Sequence, residues 1–393
     1  MGDIRASWVR VSADAMLIIL FAVVLLLPVA EQLIGIDHTT APVEKRRLAK
    51  RPALRLDAET LDGFPERFTA YYRDNFGFRN RLIRWHNRVK VRWLHASPSA
   101  NVVLGNNGYL YFAGGDTMEY YRSVKPLSPE ELEQWLRALE ERRDWLAARG
   151  AGYLVVIAPS KQSIYPEYVP GRFNRVQQAS RLDQLLKYMG DHSDFEILDL
   201  RGPLIEAKKQ SDVYERTDTH WNDLGAHIAY SAIVEHLSTW FPNMTPYPRS
   251  SYEVLSREGP GIDLAQLLGM EDVITDTWVS LLPQTPRLAE KVDPGYLLPL
   301  HEWGVTPPIV MQHPDSSLPR AVVLRDSFAI RFIPFLSEHF SRVAYLWEYG
   351  FDTAAIEREQ PDVVIHEIAE RVLIQDWSIP VNPATMSDDL LRP

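Results

Sequence analysis

The chain has 393 residues, enough for a large hydrophobic core, and 46% of them are hydrophobic, as is usual for a globular protein. Its formal net charge of −10 argues against general nucleic-acid binding. The absence of cysteine excludes disulfides, thiolate metal sites and a cysteine nucleophile, but it leaves the cellular compartment open.

Residues 1–37 carry an apolar segment that is predicted to anchor the chain in a membrane. The run from Ala15 to Ala30 has no charge. Its length lies between that of a cleaved signal, about 7–15 residues, and that of a spanning helix, about 20 residues. Because no convincing small-residue cleavage site follows, we interpret it as an uncleaved signal anchor. A cleaved signal and a buried core helix are the alternatives.

Charge does not settle the orientation of this segment. The sequence "EKRRLAKR", residues 44–51, follows it and is basic, which favours a cytoplasmic location for what comes next. Large domains, however, translocate largely regardless of flanking charge. The side of the membrane on which the main domain lies therefore stays open at this point.

Residues 38–95 are predicted to form a polar linker followed by a basic and aromatic helical segment. Leu82, Trp85, Val89 and Trp93 approximate helical spacing among many Arg and Lys residues. Such a segment is either an amphipathic helix packed on the main domain or a surface for anionic headgroups or an anionic polysaccharide.

The main domain is predicted over residues 96–385 and begins with a hairpin and a capped helix. Two β-rich runs flank Asn107-Gly108, a pair that supplies the positive φ angles of a tight turn. Ser128, Pro129 and Glu131 then form the signature of a capping box at a helix start.

From Tyr153 onward, apolar strands alternate with amphipathic helices. This pattern predicts an α/β fold in which helices cover both faces of a parallel sheet. The predicted strands include "YLVVIAP", "FEILDL", "AVVL", "RVAYLW" and the start of "PDVVIHEIAERVL". Sites in such folds lie at the carboxyl ends of strands. Residues 242–318 are rich in Pro and Gly and are predicted to be an irregular insertion.

A serine at the end of a buried strand is the first candidate for chemistry. In "AVVLRDSFAIRFIPF" the strand ends at Leu324 and a helix is predicted to begin at Phe328, with Ser327 between them. Free backbone N–H groups and the helix dipole at that place would stabilise an oxyanion. The alternative is that Ser327 only caps the helix.

The segment "DTHW", Asp218 to Trp221, offers a base for that serine. If the segment is extended, Asp218 and His220 point to the same side. The carboxylate could then orient one ring nitrogen while the other faces Ser327. A structural histidine is the alternative.

A metal site is another interpretation of the same segment. Four side chains with ligand atoms lie close together in sequence: Asp218, His220, Asp223 and His227. No further strong cluster of ligands accompanies them, and His220 is expected to lie outside the helix that carries His227. We therefore predict neither a metal nor a cofactor.

Together these motifs resemble the alginate O-acetyltransferase family, that is, the AlgJ and AlgX proteins and their DHHW relatives with an SGNH-hydrolase-like domain. The resemblance covers roughly residues 41–380 and is closer to the AlgJ type, because no C-terminal carbohydrate module is recognisable. It rests on D-T-H-W with a later D-S-F, and on "EKRRLAKRPAL", "DNFGFRNRLI", "NVVLGNNGYLYF", "APSKQSIYPEYVP", "GIDLAQLLG" and "PDVVIHEIAERVL". Because the serine follows the Asp/His pair, the resemblance implies a circularly permuted SGNH domain.

The resemblance also implies roles and a setting. Ser327 resembles the nucleophile, His220 the general base and Asp218 its orienter. The implied activity is transfer of an acetyl group through acetyl-serine to hydroxyls of an exopolysaccharide, alginate or similar. The implied setting is the periplasm, with a single-pass anchor in the inner membrane and a membrane-bound O-acyltransferase as acetyl supplier. A carbohydrate acetylesterase and a non-catalytic scaffold of an export complex are the alternatives.

The sequence departs from the family pattern at two places. Arg325 replaces the usual glycine of a G-D-S motif, and "PDVVIHEIAER" contains no asparagine to bind an oxyanion. The backbone N–H of Ser327 is therefore the first candidate for that task. Candidates for substrate contact are Lys161, Tyr165, Trp221 and Arg325. Core packing is the default interpretation for Tyr165 and Trp221, and a structural role for Lys161 is equally open. Arg371 is expected to pair with Glu367 or Glu370.

Overall fold

The computed structural model describes residues 2–35, 48–53, 62–295 and 308–375. Parts of the predicted linker and of the predicted insertion, and the predicted domain end at 385, lie outside these residues. The chain divides into two compact units. Unit 1 comprises Met1–Ser99 and Gln266–Glu271, and unit 2 comprises Ala100–Ala265 and Asp272–Pro393.

The regular elements described in unit 1 are helices. Its helices are α1 (Gly2–Ile34), α2 (Phe64–Asn75) and α3 (Arg79–Trp93). Within α1, Ala13–Gln32 is long and apolar enough to cross a membrane, with a mean hydropathy of 2.6 and no buried residue in its most apolar stretch. A cleaved signal would have the same properties.

Elements of the remaining chain alternate between helix and strand. The helices are α4 (Thr117–Arg122), α5 (Pro129–Ala147), α6 (Lys161–Ile164), α7 (Arg181–His192), α8 (Arg201–Ala207), α9 (Asp223–Leu237), α10 (Asp263–Leu267), α11 (Ile333–Leu336) and α12 (Thr353–Glu359). The strands are β1 (Val102–Leu104), β2 (Leu110–Phe112), β3 (Gly152–Ala158), β4 (Ile197–Asp199), β5 (Tyr252–Pro260), β6 (Thr275–Pro283), β7 (Glu290–Val292), β8 (Ile309–Gln312), β9 (Arg320–Arg325), β10 (Arg342–Trp347) and β11 (Val363–Ala369).

A seven-stranded sheet with the order β4-β3-β11-β9-β10-β8-β7 forms the centre of unit 2. In this order, the pairs β4–β3, β3–β11, β11–β9 and β9–β10 are all parallel. Strands β3, β9 and β11 are buried along nearly their whole length, so both faces of the sheet are covered. This architecture confirms the predicted α/β fold. The short strands β8 and β7 extend one edge with antiparallel pairing.

Two local predictions in unit 2 are confirmed. Strands β1 and β2 form the expected hairpin, and Asn107 and Gly108 have φ angles of 54° and 79° in its loop. At the start of α5, Ser128 Oγ accepts from the N–H of Glu131 at 3.2 Å, while Glu131 Oε2 accepts from the N–H of Ser128 at 2.6 Å. This reciprocal pair is the predicted capping box.

The helix predicted from Phe328 is interrupted. A four-residue 3-10 helix, Phe328–Arg331, precedes the short α11, and a further 3-10 turn follows at Ser337–His339. Pro334 lacks an N–H and therefore cannot continue the hydrogen-bond ladder of an α-helix. Ser327 accordingly precedes one short turn, and the expected contribution from the dipole of a long helix is not available there.

Residues 242–318 are more regular than predicted. Strands β5 and β6 pair antiparallel over nine residues each, from Tyr252 opposite Pro283 to Pro260 opposite Thr275. Most of β5 is exposed. A strand exposed on both faces shows no alternation of apolar and polar residues, so periodicity could not reveal it.

Candidate active site

His220 contacts Asp218 on one side and Ser327 on the other. Its Nδ1 lies 2.8 Å from Asp218 Oδ1, and its Nε2 lies 2.8 Å from Ser327 Oγ. With the ring proton on Nδ1, that nitrogen donates to the carboxylate and Nε2 accepts from the serine hydroxyl. The structure therefore brings together the three side chains singled out from the sequence, although 107 positions separate His220 from Ser327. Their role in catalysis stays a prediction.

Asp218 and His220 meet through a bend at residues 219 and 220 and not through an extended segment. The backbone N–H of His220 donates to Asp218 Oδ1 at 3.0 Å, which closes an Asx-type turn. The N–H and hydroxyl of Thr219 donate to the carboxylate of Asp263 at 2.9 and 2.7 Å. The turn thus brings Asp218 and His220 together in place of the extended segment that was expected.

Lys161 supports the same loop from below the surface. Its ammonium group donates to the carbonyl oxygens of Glu215, Arg216 and Asp218 at 3.1, 2.8 and 2.5 Å. Burial lowers the pKa of Lys161 to about 8, although the nearby carboxylates, Asp218 first, oppose that shift. Three charge-assisted hydrogen bonds to one loop fix the backbone that carries Asp218.

Asp326 fixes the turn that carries Ser327. Its Oδ1 accepts from the N–H of Phe328 at 2.8 Å, and its Oδ2 accepts from the N–H of Ala369 at 3.0 Å. The N–H of Asp326 donates to Glu367 Oε2 at 2.9 Å. Burial, and then the charge of Asp326, raise the pKa of Glu367 well above its ordinary value, which favours its neutral form. The turn is thereby tied to β11.

Arg331, a residue that sequence reasoning missed, adds a positive charge beside the Asp218 carboxylate. It forms ion pairs with Glu215 at 3.4 Å, Asp218 Oδ2 at 3.3 Å and Asp223 at 3.3 Å. Burial raises the pKa of Asp218, but hydrogen bonds from His220 and the charge of Arg331 outweigh it and hold that pKa below its ordinary value. Asp218 therefore stays ionised as an acceptor for His220.

Glu215 titrates in an unusual range for a carboxyl group. Burial, opposed by the charge of Arg331, raises its pKa from 4.5 to about 7. Between these two pH values the folded protein keeps a proton that the unfolded chain has lost. The contribution of Glu215 to stability therefore falls as the pH rises through this window.

The variant Glu215→Gln is expected to lack this pH dependence. Relative to the wild type, its free energy of unfolding should rise by roughly 3 kcal/mol between pH 4.5 and pH 7. Denaturant unfolding at several pH values measures the difference. Glu206→Gln serves as a control, since that side chain is 70% exposed. Parallel curves for Glu215→Gln and wild type would contradict the shifted pKa.

The candidate oxyanion donor is the backbone N–H of Ser327. Among the described contacts this group has no hydrogen-bond acceptor within the protein. A donor that is left free beside the serine oxygen is what attack on an acyl group requires. The sequence and the geometry therefore both favour the backbone N–H of Ser327 as the oxyanion donor, and this role stays a prediction.

Arg371 forms no ion pair with Glu367 or Glu370 in the part of the chain that the structure describes, so that expectation is corrected. Glu370 instead accepts from the hydroxyl of Tyr120 and the N–H of Ser160, at 3.0 and 2.9 Å. The guanidinium of Arg371 lies over aromatic rings, with Phe328 at 5.1 Å and Phe112 at 5.6 Å.

Trp221 connects the two segments of the site. It is completely buried, and its Nε1 donates to the carbonyl oxygen of Phe328 at 3.0 Å. The Phe328 ring packs edge-on against both Trp221 and His220, with centroid distances of 5.0 and 4.9 Å. Trp221 therefore lies beneath the serine turn and has no exposed face for a sugar.

The other expected substrate contacts are also buried. Lys161 and Arg325 are 2% exposed and Tyr165 is 3% exposed. The Tyr165 hydroxyl accepts from the N–H of Val213 at 2.9 Å, and the Arg325 guanidinium lies 4.6 Å from the centroid of the Trp347 ring. These contacts favour structural roles, and direct substrate binding by these side chains stays a prediction.

Asp218, His220 and Asp263 hold ligand-type atoms within 4.8 Å of one another. This set differs from the four residues considered above, since His227 donates Nε2–H to the carbonyl oxygen of Tyr247 at 3.0 Å. Each ligand-type atom of the three already has a hydrogen-bond or ion-pair partner in the site. The donor set therefore fits the hydrogen-bonded arrangement better than a metal ion.

Parts of this chain are similar in sequence to known proteins. Residues 102–287, which include Asp218 and His220 but not Ser327, match the family described as the SGNH hydrolase-like domain of acetyltransferase AlgX. The probable alginate O-acetylase AlgJ of Pseudomonas syringae pv. tomato is 32% identical over 128 residues, which are 33% of this chain and 31% of that protein. The AlgJ of Azotobacter vinelandii is 29% identical over 196 residues, 48% of this chain and 46% of that protein.

The chain thus spans less than half the length of these curated relatives. Among solved structures, Bacillus cereus PatB1 is similar in fold, with a TM-score of 0.51 and 15% identity over 70% of this chain and 97% of that chain. The matches confirm the resemblance inferred from the motifs: parts of the chain are similar to AlgJ proteins and to the SGNH hydrolase-like domain of AlgX, and the chain has an SGNH hydrolase-like fold.

Proposed function

We propose that the protein is a polysaccharide O-acetyltransferase that works through an acetyl-serine on Ser327. One observation carries the proposal, namely the continuous contact from Asp218 through His220 to Ser327, with 2.8 Å at each step. The family resemblance supports acetyl as the transferred group and an exopolysaccharide, alginate or similar, as the acceptor.

The proposed reaction has two symmetrical halves. His220 Nε2 takes the proton of Ser327 as Oγ bonds to the acetyl carbon, and the donor's leaving group departs with that proton. A sugar hydroxyl then gives its proton to Nε2 and attacks the acetyl carbon. The bond to Oγ breaks, and Ser327 recovers the proton. Asp218 stabilises the imidazolium formed in each half, and the N–H of Ser327 binds the oxyanion.

The proposed setting is the periplasmic face of the inner membrane. The apolar helix Ala13–Gln32 supports a single-pass anchor within residues 1–37, with an acyltransferase domain over residues 96–385. Acetyl groups would come from a membrane-bound O-acyltransferase, in line with the family resemblance. In this proposed arrangement the polysaccharide acceptor and Ser327 are both on the periplasmic side of the membrane.

Full-length protein in detergent, given a chromogenic acetyl ester with and without alginate oligosaccharides, tests the proposal. We expect ester turnover, an acetyl adduct on the peptide that contains Ser327, and acetylated sugar, all detected by mass spectrometry. Free acetate without acetylated sugar would replace the proposal with an acetylesterase. No turnover with either substrate would favour a non-catalytic scaffold.

A further inference from the structure

Helix α3 carries an exposed apolar face that the acyl-transfer site does not use. Trp93 is 78% exposed, Trp85 66% and Leu82 49%. Trp85 and Trp93 lie three and eleven residues after Leu82, close to one and three helical turns, so all three share one side of the helix. Neighbouring exposed apolar side chains of this size mark interaction surfaces in soluble and membrane-associated proteins.

The opposite side of α3 is already packed within unit 1. Asn87, which is buried, donates Nδ2–H to the carbonyl oxygen of Leu268 at 2.7 Å. Arg84 forms an ion pair with Glu271 at 2.8 Å. The segment Gln266–Glu271 therefore covers one side of α3. The exposure of Trp85 and Trp93 thus belongs to a helix whose rotation about its axis is fixed.

Positive charge lies along one edge of the apolar face. Arg81, Arg88 and Arg92 are exposed, and Arg81 and Arg88, four and three residues from Trp85, lie beside it on the helix. The sequence of α3, RNRLIRWHNRVKVRW, contains six Arg or Lys residues and no Asp or Glu, whereas the whole chain has a net charge of −10. This local reversal of sign favours an anionic partner.

The candidate membrane span ends in contact with the turn between α2 and α3. Gln32 Nε2 donates to the carbonyl oxygen of Asn75 at 2.7 Å. A Cβ atom at Gly77 would lie 2.6 Å from Glu31 Oε2 and even closer to the carbonyl oxygen of Pro28, so the turn and the helix end approach too closely for any other residue. Since the span covers Ala13–Gln32, this contact places the start of α3 at the level where the hydrocarbon core ends.

We propose that the exposed face of α3, formed by Leu82, Trp85 and Trp93 with their flanking arginines, binds the anionic phospholipid headgroups of the membrane that holds α1. Tryptophan favours the boundary between headgroups and acyl chains, and arginine extends its charge from there to phosphate groups. An anionic polysaccharide would match the charge, but the continuity with the span and the apolar side chains favour lipid. The inference is independent of acyl transfer.

Spin labels can test this contact, because the chain has no cysteine and each introduced cysteine is unique. The variants Trp85→Cys and Trp93→Cys of the full chain are labelled and reconstituted in phosphatidylcholine vesicles that contain phosphatidylglycerol. Trp240→Cys is the matched control, since Trp240 is 42% exposed and belongs to unit 2. We expect oxygen to relax the spin labels at positions 85 and 93 several-fold more strongly than an aqueous nickel chelate does. For the label at position 240 we expect the nickel chelate to have the stronger effect.

A second part of the experiment tests whether the contact requires charge on the protein and on the lipid. The labels at positions 85 and 93 should lose much of their preference for relaxation by oxygen under either of two changes. One is the triple variant Arg81→Gln, Arg88→Gln and Arg92→Gln, and the other is the omission of phosphatidylglycerol from the vesicles. If both labels behave like position 240 in anionic vesicles, the lipid contact is refuted. If soluble alginate shields them in detergent while vesicles do not, the face binds polysaccharide and the proposal is equally overturned.

Discussion

Alanine in place of Ser327 or His220 is expected to lower acetyl turnover by about 10⁴-fold or more. Ser327→Ala removes the only atom that can carry the acetyl group in the proposed reaction. His220→Ala leaves the hydroxyl without a base, and no other imidazole or carboxylate lies within hydrogen-bond distance of Ser327 Oγ among the described contacts. Ester hydrolysis and sugar acetylation should fall together, because both pass through the same intermediate.

The double variant gives the sharper result. Residues that act as one unit have strongly non-additive effects, so Ser327→Ala combined with His220→Ala should be no slower than either single variant. Initial rates with the chromogenic ester measure all three. His192→Ala is the matched control, since His192 is exposed and its ring stacks on Tyr188. A single variant that keeps a tenth of wild-type turnover would remove its residue from the mechanism.

Asp218→Asn is expected to lower turnover by about 10⁴-fold while the fold is kept. Asp218 Oδ1 accepts from both Nδ1 and the backbone N–H of His220, and Oδ2 faces Arg331. An asparagine amide has one oxygen and one NH₂ group. If the oxygen faces His220, the NH₂ group meets the guanidinium. If it faces Arg331, the NH₂ group meets two donors of His220.

The second orientation moves the ring proton to Nε2, where it can no longer accept from Ser327. Nitrogen NMR of labelled imidazole measures this tautomer directly, so the test does not rest on activity alone. Asp212→Asn in the same loop is the control, because in the described part of the chain its carboxylate has one side-chain hydrogen bond, from the Tyr109 hydroxyl at 3.4 Å. Wild-type turnover in Asp218→Asn, or an unchanged Nδ1–H tautomer together with low turnover, would contradict the proposed role.

Motifs with a local physical cause were predictable from the sequence. The capping box at Ser128 and the positive φ angles at Asn107 and Gly108 depend on neighbours within a few residues. The buried strand before Ser327 is a continuous apolar run, and the order of the D-T-H-W and D-S-F motifs pointed to a contact that no local rule could supply. That contact came from the resemblance to a family together with the general rule that sites lie at strand ends.

Features that depend on the tertiary structure could not be predicted from the sequence in this way. Arg331 lies four residues after Ser327, but its partners Glu215, Asp218 and Asp223 come from another part of the chain. Lys161 follows a strand and looked free to meet a ligand, yet three loop carbonyl groups occupy it. In both cases the type of residue was visible, and the choice of partner depended on packing between distant segments.

The hydrogen bond from Trp221 to the carbonyl oxygen of Phe328 has a dynamic consequence. Trp221 directly follows the base, and Phe328 directly follows the serine, so a single buried link couples the neighbours of both reacting groups. Thermal displacement of one loop should carry the other with it. The separation between imidazole and hydroxyl should therefore fluctuate less than the position of either loop, which lets the site tolerate movement elsewhere without losing its alignment.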